Sequence, residues 1–271
     1  MKKRFKALIN RLKKNIKSPE MKVLPGQLAF FFVLILIPLI ALTLSICANF
    51  NISDSFLRLL KNADFPDGIV LLISLMSNSK VEGFNLIFYV SALILASNGT
   101  YSIICVSNQI YKIKNRGYLY DRLKSIAMLL VLIVIFLFVA IVPMLGHSII
   151  KTISIAINSD VLSEYVRTMY GLLNVPLSWI FIFIGIKLIF IMAPDAKIPS
   201  KKVNYGALFT SFSWVLFTKL YSLYIALSNS FNNIYGSISS VIVLIWWIYF
   251  LSYFFVMGMA LNVCKYEEKR S

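Results

Sequence analysis

The sequence predicts an all-α, polytopic membrane protein with six transmembrane helices, both termini in the cytoplasm, and an amphipathic interfacial helix at the N-terminus. Three observations predict it. Of 271 residues, 59% are hydrophobic and the mean hydropathy is +0.80, more apolar surface than a water-soluble fold of this length can hide. The chain contains six mostly apolar stretches of about 20 residues, the length a helix needs to cross the hydrocarbon core. When those stretches are taken as spans, the basic residues sort to one side of the membrane.

Residues 1–22 carry nine basic residues against Glu20 alone. Phe5, Leu8, Ile9, Leu12 and Ile16 fall on one helical face with lysines opposite, the pattern of a helix lying on an anionic cytoplasmic leaflet. This segment is read as topology signal and anchor. The membrane domain follows over 23–264, and 265–271 form a cytoplasmic tail.

Span one runs from Gln27 to Ala48, with Pro38 mid-span, where the missing backbone N–H predicts a kink. Span two, Phe84 to Val106, carries Ser97, Asn98, Gly99 and Thr100 near its middle. Asn98 is expected to turn into the bundle, since an amide facing lipid has nothing to bond. Ala92, Ala96 and Thr100, four residues apart, offer a small face for close packing. Span three is Ser125 to Leu145 and span four Gly171 to Ala193, stopped by Pro194. Span five, Tyr205 to Leu227, contains Lys219; span six, Ser237 to Val263, is entered from Tyr235 and Gly236. Trp246 and Trp247 lie too deep for an interfacial belt and are expected to pack between helices.

With the N-terminus inside, the cytoplasmic segments hold nine, five, three and three basic residues, twenty in all, against five acids. The outer segments hold five against six. The net charge of +16 is therefore a topology signal, and a nucleic-acid partner is not expected: no basic run is interleaved with aromatics. Two outer loops of about 35 and 25 residues are too short for a further domain. Cys47, Cys105 and Cys264 have no repeated spacing, so neither disulfides nor a metal knuckle is expected.

Enzymatic chemistry needs paired acids, a nucleophile with a base, or clustered metal ligands. No acid lies in any span, and the single histidine, His147, sits at the outer end of span three, so no catalytic residue, metal site or cofactor is expected, nor a carboxylate proton relay. The spans contain two cations. Lys187 lies near the cytoplasmic end of span four and is read as snorkelling to that surface. Lys219 is about fifteen residues into span five, roughly 22 Å across. Two readings fit it: a functional interior shared with Tyr221 and neighbouring polar groups, or snorkelling to the outer surface.

In order along the chain, these segments resemble the bacterial YihY/BrkB membrane family, long labelled ribonuclease BN. GQLAFFFVLILIPLI is similar to its aromatic stretch and span-one proline, Pro38. ASNGTYSIICVSNQIYKIKNRGYLYDRLKSIAMLL is similar to its Ser-x-Gly motif (Ser97, Gly99), the Asn108-x-x-Tyr ending of span two and the basic loop with Arg116. The most specific likeness runs from Pro194 to Asn262 and includes Gly206, Trp214, Tyr235, Gly236, Ser237, Trp247, Tyr249 and Gly258. Where the family often has Gly-Ala-Glu-Leu-Asn, this chain has Gly258-Met259-Ala260-Leu261-Asn262, so no acidic role carries over.

The resemblance implies a six-span inner-membrane protein linked to envelope or lipid processes, with transport proposed. The ribonuclease label finds no cluster of His and Asp ligands here. The expected function is transporter-like movement of a lipid or amphipathic solute, with Asn98, Thr100, Lys219, Tyr221, Tyr235 and Asn262 forming a polar pathway through spans two, five and six. The alternative is a membrane scaffold that recruits envelope or lipid-synthesis partners. The expected contacts are the bilayer and anionic lipid at the cytoplasmic face; the sequence leaves the oligomeric state open.

Overall fold

The structure is a computed structural model that describes residues 19–49, 86–135, 176, 179–227 and 239–267. The described residues form helices and connecting turns, without a strand. They are α1 (Pro19–Asn49), α2 (Leu86–Tyr111), α3 (118–135), α4 (Trp179–Met192), α5 (Ser200–Leu227) and α6 (Ser239–Glu267). The amphipathic residues 1–18, both long outer loops with His147, and the turn with Tyr235, Gly236 and Ser237 lie outside the described residues.

Among the described residues, three segments are long and apolar enough to cross a membrane: Met21–Ile40, Val90–Tyr111 and Val241–Cys264, within α1, α2 and α6. Trp179–Met192 is a shorter apolar helix. With 28 residues, α5 is about 42 Å long, but Lys201, Lys202, Asn204 and Lys219 make it more polar. The helix α1 runs without interruption through Pro25 and Pro38.

The order of the helices in space follows from the core. Met21 at the start of α1, Val106 at the end of α2, Met128 of α3, Ala193 just past α4, Val203 at the start of α5 and Met259 near the end of α6 share one apolar cluster, and Lys124 in the first half of α3 bonds the Ala193 carbonyl. Starts and ends alternate, so consecutive helices are antiparallel. Its hub is Phe255 on α6, with ring centroids 4.8 Å from Phe190, 5.9 Å from Phe32 and 6.1 Å from Trp214. Thus α6 packs against both α5 and α1, and α1 packs against α2. A second cluster joins Ile35 and Leu39 of α1, Ala92 and Ala96 of α2, and Leu129 and Ile133 of α3. The small face expected on span two is therefore where α1 and α3 seat.

One expectation needs correction. Trp247 is buried, and its indole N–H donates to the Thr218 hydroxyl at 3.2 Å, but Trp246 is 66% exposed. Consecutive helical residues point about 100° apart, so only one of the two can face α5; Trp246 faces out with Ile245 and Tyr249.

Candidate functional site

Among the described residues, the densest polar cluster lies where α2 ends, α3 begins and α4 ends. Each piece has a local cause. The end of α2 is closed by backbone bonds from Ile113 N–H to the Asn108 carbonyl (2.8 Å) and from Lys112 N–H to the Gln109 carbonyl (3.2 Å), with Lys112 in the left-handed region at φ 54°. This pairing satisfies carbonyls that a helix end otherwise leaves open. Pro194 follows α4, where its ring and missing N–H stop the helix and leave the last carbonyls without intrahelical donors.

Lys124 of α3 fills that gap. Its ammonium donates to the Ala193 carbonyl at 2.8 Å, the Pro194 carbonyl at 3.1 Å and Asp195 Oδ1 at 2.6 Å, so all three N–H bonds are used. A cation at a helix C-terminus is also favoured by the helix dipole. The Asp195 side chain is wholly buried and that of Lys124 is 15% exposed. Asn108 Nδ2 donates to Asp195 Oδ2 and, at 2.8 Å, to Asn115 Oδ1, while Asn108 Oδ1 accepts the Asp195 backbone N–H at 2.8 Å. Arg116 donates to the Asp195 carbonyl at 3.1 Å, with its guanidinium 5.1 Å from the Tyr120 ring. Residue 195 is thus held at its carboxylate, its N–H and its carbonyl from α2, the 112–117 loop and α3.

Asp121, one turn before Lys124, is 1% exposed, and its Oδ1 has no hydrogen-bond partner. Burial pushes its carboxyl above the usual range, and the Asp195 charge pushes the same way. Lys124 and the Arg116 backbone N–H oppose the shift, while a hydrogen bond to the Asp195 carboxyl adds to it.

The pathway residues expected from the sequence that the structure describes fall in separate places. The half-buried Asn98 accepts a hydrogen bond from Arg122 at 2.7 Å, and the buried Thr100 hydroxyl is 2.8 Å from the Ser125 carbonyl and 3.1 Å from that of Ser97. Both therefore meet α3. Ser97 bonds its own helix, at the Ile94 carbonyl (2.8 Å). A Cβ on Gly99 would stand 3.0 Å from the Cβ of Ile35, so the glycine sets the approach of α1.

Asn262 is on the α5–α6 contact, where its Oδ1 accepts the Gly206 N–H at 2.8 Å. A Cβ on Gly258 would overlap the Thr210 hydroxyl and come within 2.9 Å of the Gly206 carbonyl, so the two backbones touch. Trp214 donates to the Leu251 carbonyl at 2.8 Å, about one helical turn beyond Thr210 along the same contact. Tyr221 is half-buried beside Phe217, and Lys219 is exposed on a surface that also presents Leu216, Leu220 and Leu223. Lys187 is half-buried, its ammonium 6.0 Å from the Phe183 ring.

Asp121, Lys124, Arg122 and Asp195 were counted in the sequence only as cytoplasmic charges, and Asn115 was not singled out. One signal in the sequence does mark the acids: Asp121 and Asp195 are negative residues in segments otherwise basic. Among the described residues, no three His, Cys, Asp or Glu side chains gather in a metal-binding group.

Long apolar helices, buried hydroxyls and amides between them, and a charged lock at the helix ends define an α-helical integral membrane protein. The chain belongs to the family described as Virulence factor BrkB, whose model matches residues 12–271. A Bacillus subtilis protein named as ribonuclease-like, YfkH, is 25% identical over 250 residues, 90% of each chain. A UPF0761 membrane protein of Vibrio parahaemolyticus is 23% identical over 283 residues, 98% of this chain and 82% of its own. Another, of Pseudomonas paraeruginosa, is 30% identical over 104 residues, 38% of this chain and 24% of its own. No solved structure matches.

Proposed function

We propose that this is a six-span protein of the bacterial inner membrane, with both termini in the cytoplasm, that moves a lipid or amphipathic solute and is not an enzyme. The antiparallel order of α1 to α6 and the charge partition support the topology. The observation that carries the transport reading is a set of buried polar atoms without protein partners on two touching helices. They are Ser102 Oγ and Ser107 Oγ of α2, and Ser252 Oγ and Asn262 Nδ2 of α6. In a membrane bundle such groups are costly unless water or a polar solute reaches them. Lys219, exposed among leucines on α5, suits contact with an anionic headgroup.

The test is a proteoliposome assay with labelled anionic phospholipid, comparing the wild type with Lys219→Ala and Asn262→Ala. Loss of movement with unchanged expression and folding supports the pathway. Full activity in both variants removes these residues from it. A nuclease activity, as the name of the Bacillus relative would have it, predicts RNA turnover by purified protein that His147→Ala or a chelator abolishes; we expect no turnover.

A scaffold role is the second reading, favoured by exposed Tyr118, Leu119, Tyr120 and Leu123 at the start of α3 beside Lys112 and Lys114. Under that reading, deletion of residues 1–17 destroys function while Lys219 and Asn98 remain replaceable.

A further inference from the structure

The charges in the lock between α3 and the end of α4 do not balance. Two buried carboxyls share the lock, Asp121 one helical turn before Lys124 and Asp195 with its Oδ1 2.6 Å from the Lys124 ammonium, and that one ammonium serves them both. That ammonium is fully engaged by Asp195 Oδ1 and the carbonyls of residues 193 and 194, with no N–H left for Asp121. The Arg116 guanidinium donates to the Asp195 carbonyl and the Tyr120 hydroxyl and lies over the Tyr120 ring at the surface. From α2, the groups facing Asp121 are Tyr101 and Cys105, neither of which brings positive charge. One oxygen of Asp121 remains buried and unpartnered. For an ionised carboxylate that arrangement is severe, whereas for a neutral carboxyl the bare atom is a carbonyl oxygen, and the hydroxyl has an acceptor in Asp195.

We propose that Asp121 and Asp195 form a proton-binding site, one exchangeable proton being held between the two carboxyls. The Asp121 O–H donates to the Asp195 carboxylate, which keeps Lys124 and Asn108 on its remaining lone pairs. When the proton leaves to solvent, two anions face one ammonium in a buried pocket. The start of α3 is then repelled from the residue that ties it to α4. The proton thus completes the lock, and its loss loosens the 112–117 loop and the first turn of α3. This holds whether or not the protein moves a solute, so failure of the transport assay leaves it standing.

The sign of the pH effect follows from the raised carboxyl. Asp121 binds its proton more tightly folded than unfolded, so its contribution is full below the ordinary carboxylate value of about 3.9. It is lost as pH rises through the raised folded value. The experiment uses full-length protein in detergent. Infrared spectra across a pH series should show the C=O stretch of a protonated carboxylic acid persisting to higher pH than an ordinary aspartate allows, shifted in D2O and absent from Asp121→Asn. The wild-type melting temperature should fall with rising pH relative to Asp121→Asn, which mimics the protonated carboxyl and should melt no lower than wild type. Asp195→Asn, which strips Lys124 of its counter-charge, should melt lower than both. The proposal is overturned by wild type lacking that persistent carboxylic acid band, or by Asp121→Asn melting as low as Asp195→Asn. It is also overturned if sodium, replacing a bulky organic cation at fixed pH and ionic strength, stabilises wild type but not Asp121→Asn, which would assign the site to a metal cation.

Discussion

The side-chain amide of Asn108 grips residue 195 at two points, donating from Nδ2 to the Asp195 carboxylate and accepting the Asp195 backbone N–H on Oδ1 at 2.8 Å. These residues are 87 positions apart and close the turn after α4 onto the end of α2. Asn108→Ala removes both bonds and leaves a buried charge short of a donor. The expected loss is about 3 kcal/mol, read by thermal unfolding in detergent. Asn108→Asp should be worse, since it adds a negative charge beside Asp195 and removes the donor.

Lys124→Met should destabilise by about 3–5 kcal/mol, because a wholly buried Asp195 carboxylate loses its counter-charge. The double variant Lys124→Met/Asp195→Asn should recover part of that loss. A double-mutant cycle with additive losses would show the two side chains to be uncoupled.

Two glycines should respond in opposite directions to alanine. At Gly26 nothing lies within 4 Å of an added Cβ, so Gly26→Ala should stabilise α1 by about 0.5–1 kcal/mol. At Gly258 the added methyl meets Thr210 and the Gly206 backbone, so Gly258→Ala should cost about 3 kcal/mol or more. Melting temperatures of the two variants check the pair.

Lys112 sits in the left-handed region at the end of α2, where a side chain is disfavoured by about 1 kcal/mol. Lys112→Gly keeps the capping bonds and removes that strain. A gain of about 1 kcal/mol is expected in the melting of the purified protein, with no effect on function.

Trp214 and Trp247 both reach across from one helix of the α5–α6 contact to the other, at the Leu251 carbonyl and the Thr218 hydroxyl. Replacing either by Phe keeps most of the ring and deletes one hydrogen bond, for about 1 kcal/mol each. Trp246→Phe, at an outward position, should change stability little. Equal losses at 246 and 247 would contradict the assigned orientation.

The helical class and the approximate places of three spans were legible because they are one-dimensional properties. A run of apolar residues long enough to cross hydrocarbon is visible in Met21–Ile40, Val90–Tyr111 and Val241–Cys264 without knowing what lies beside it. The likeness to the BrkB family was legible too, since Ser97, Asn108, Gly206 and Gly258 keep their order along the chain. The packing face of α2 could be read from Ala92, Ala96 and Thr100, whose spacing alone places them on one side.

What the sequence determined by itself, then, was where helices form and which residues are too polar to face lipid, because hydropathy and period are local. Only the tertiary structure decided which of those residues meet. It sent Asn98 and Thr100 to α3, drew Asn262 to Gly206, and turned Trp246 outward while burying Trp247. It also converted Asp121, Lys124 and Asp195 from cytoplasmic charges into a buried lock. Their spacing along the chain carries no trace of that contact. It arises because the end of α2, the start of α3 and the end of α4 meet at one side of the bundle, where unpaired helix carbonyls and a stopped helix require a cation, and the cation requires an acid.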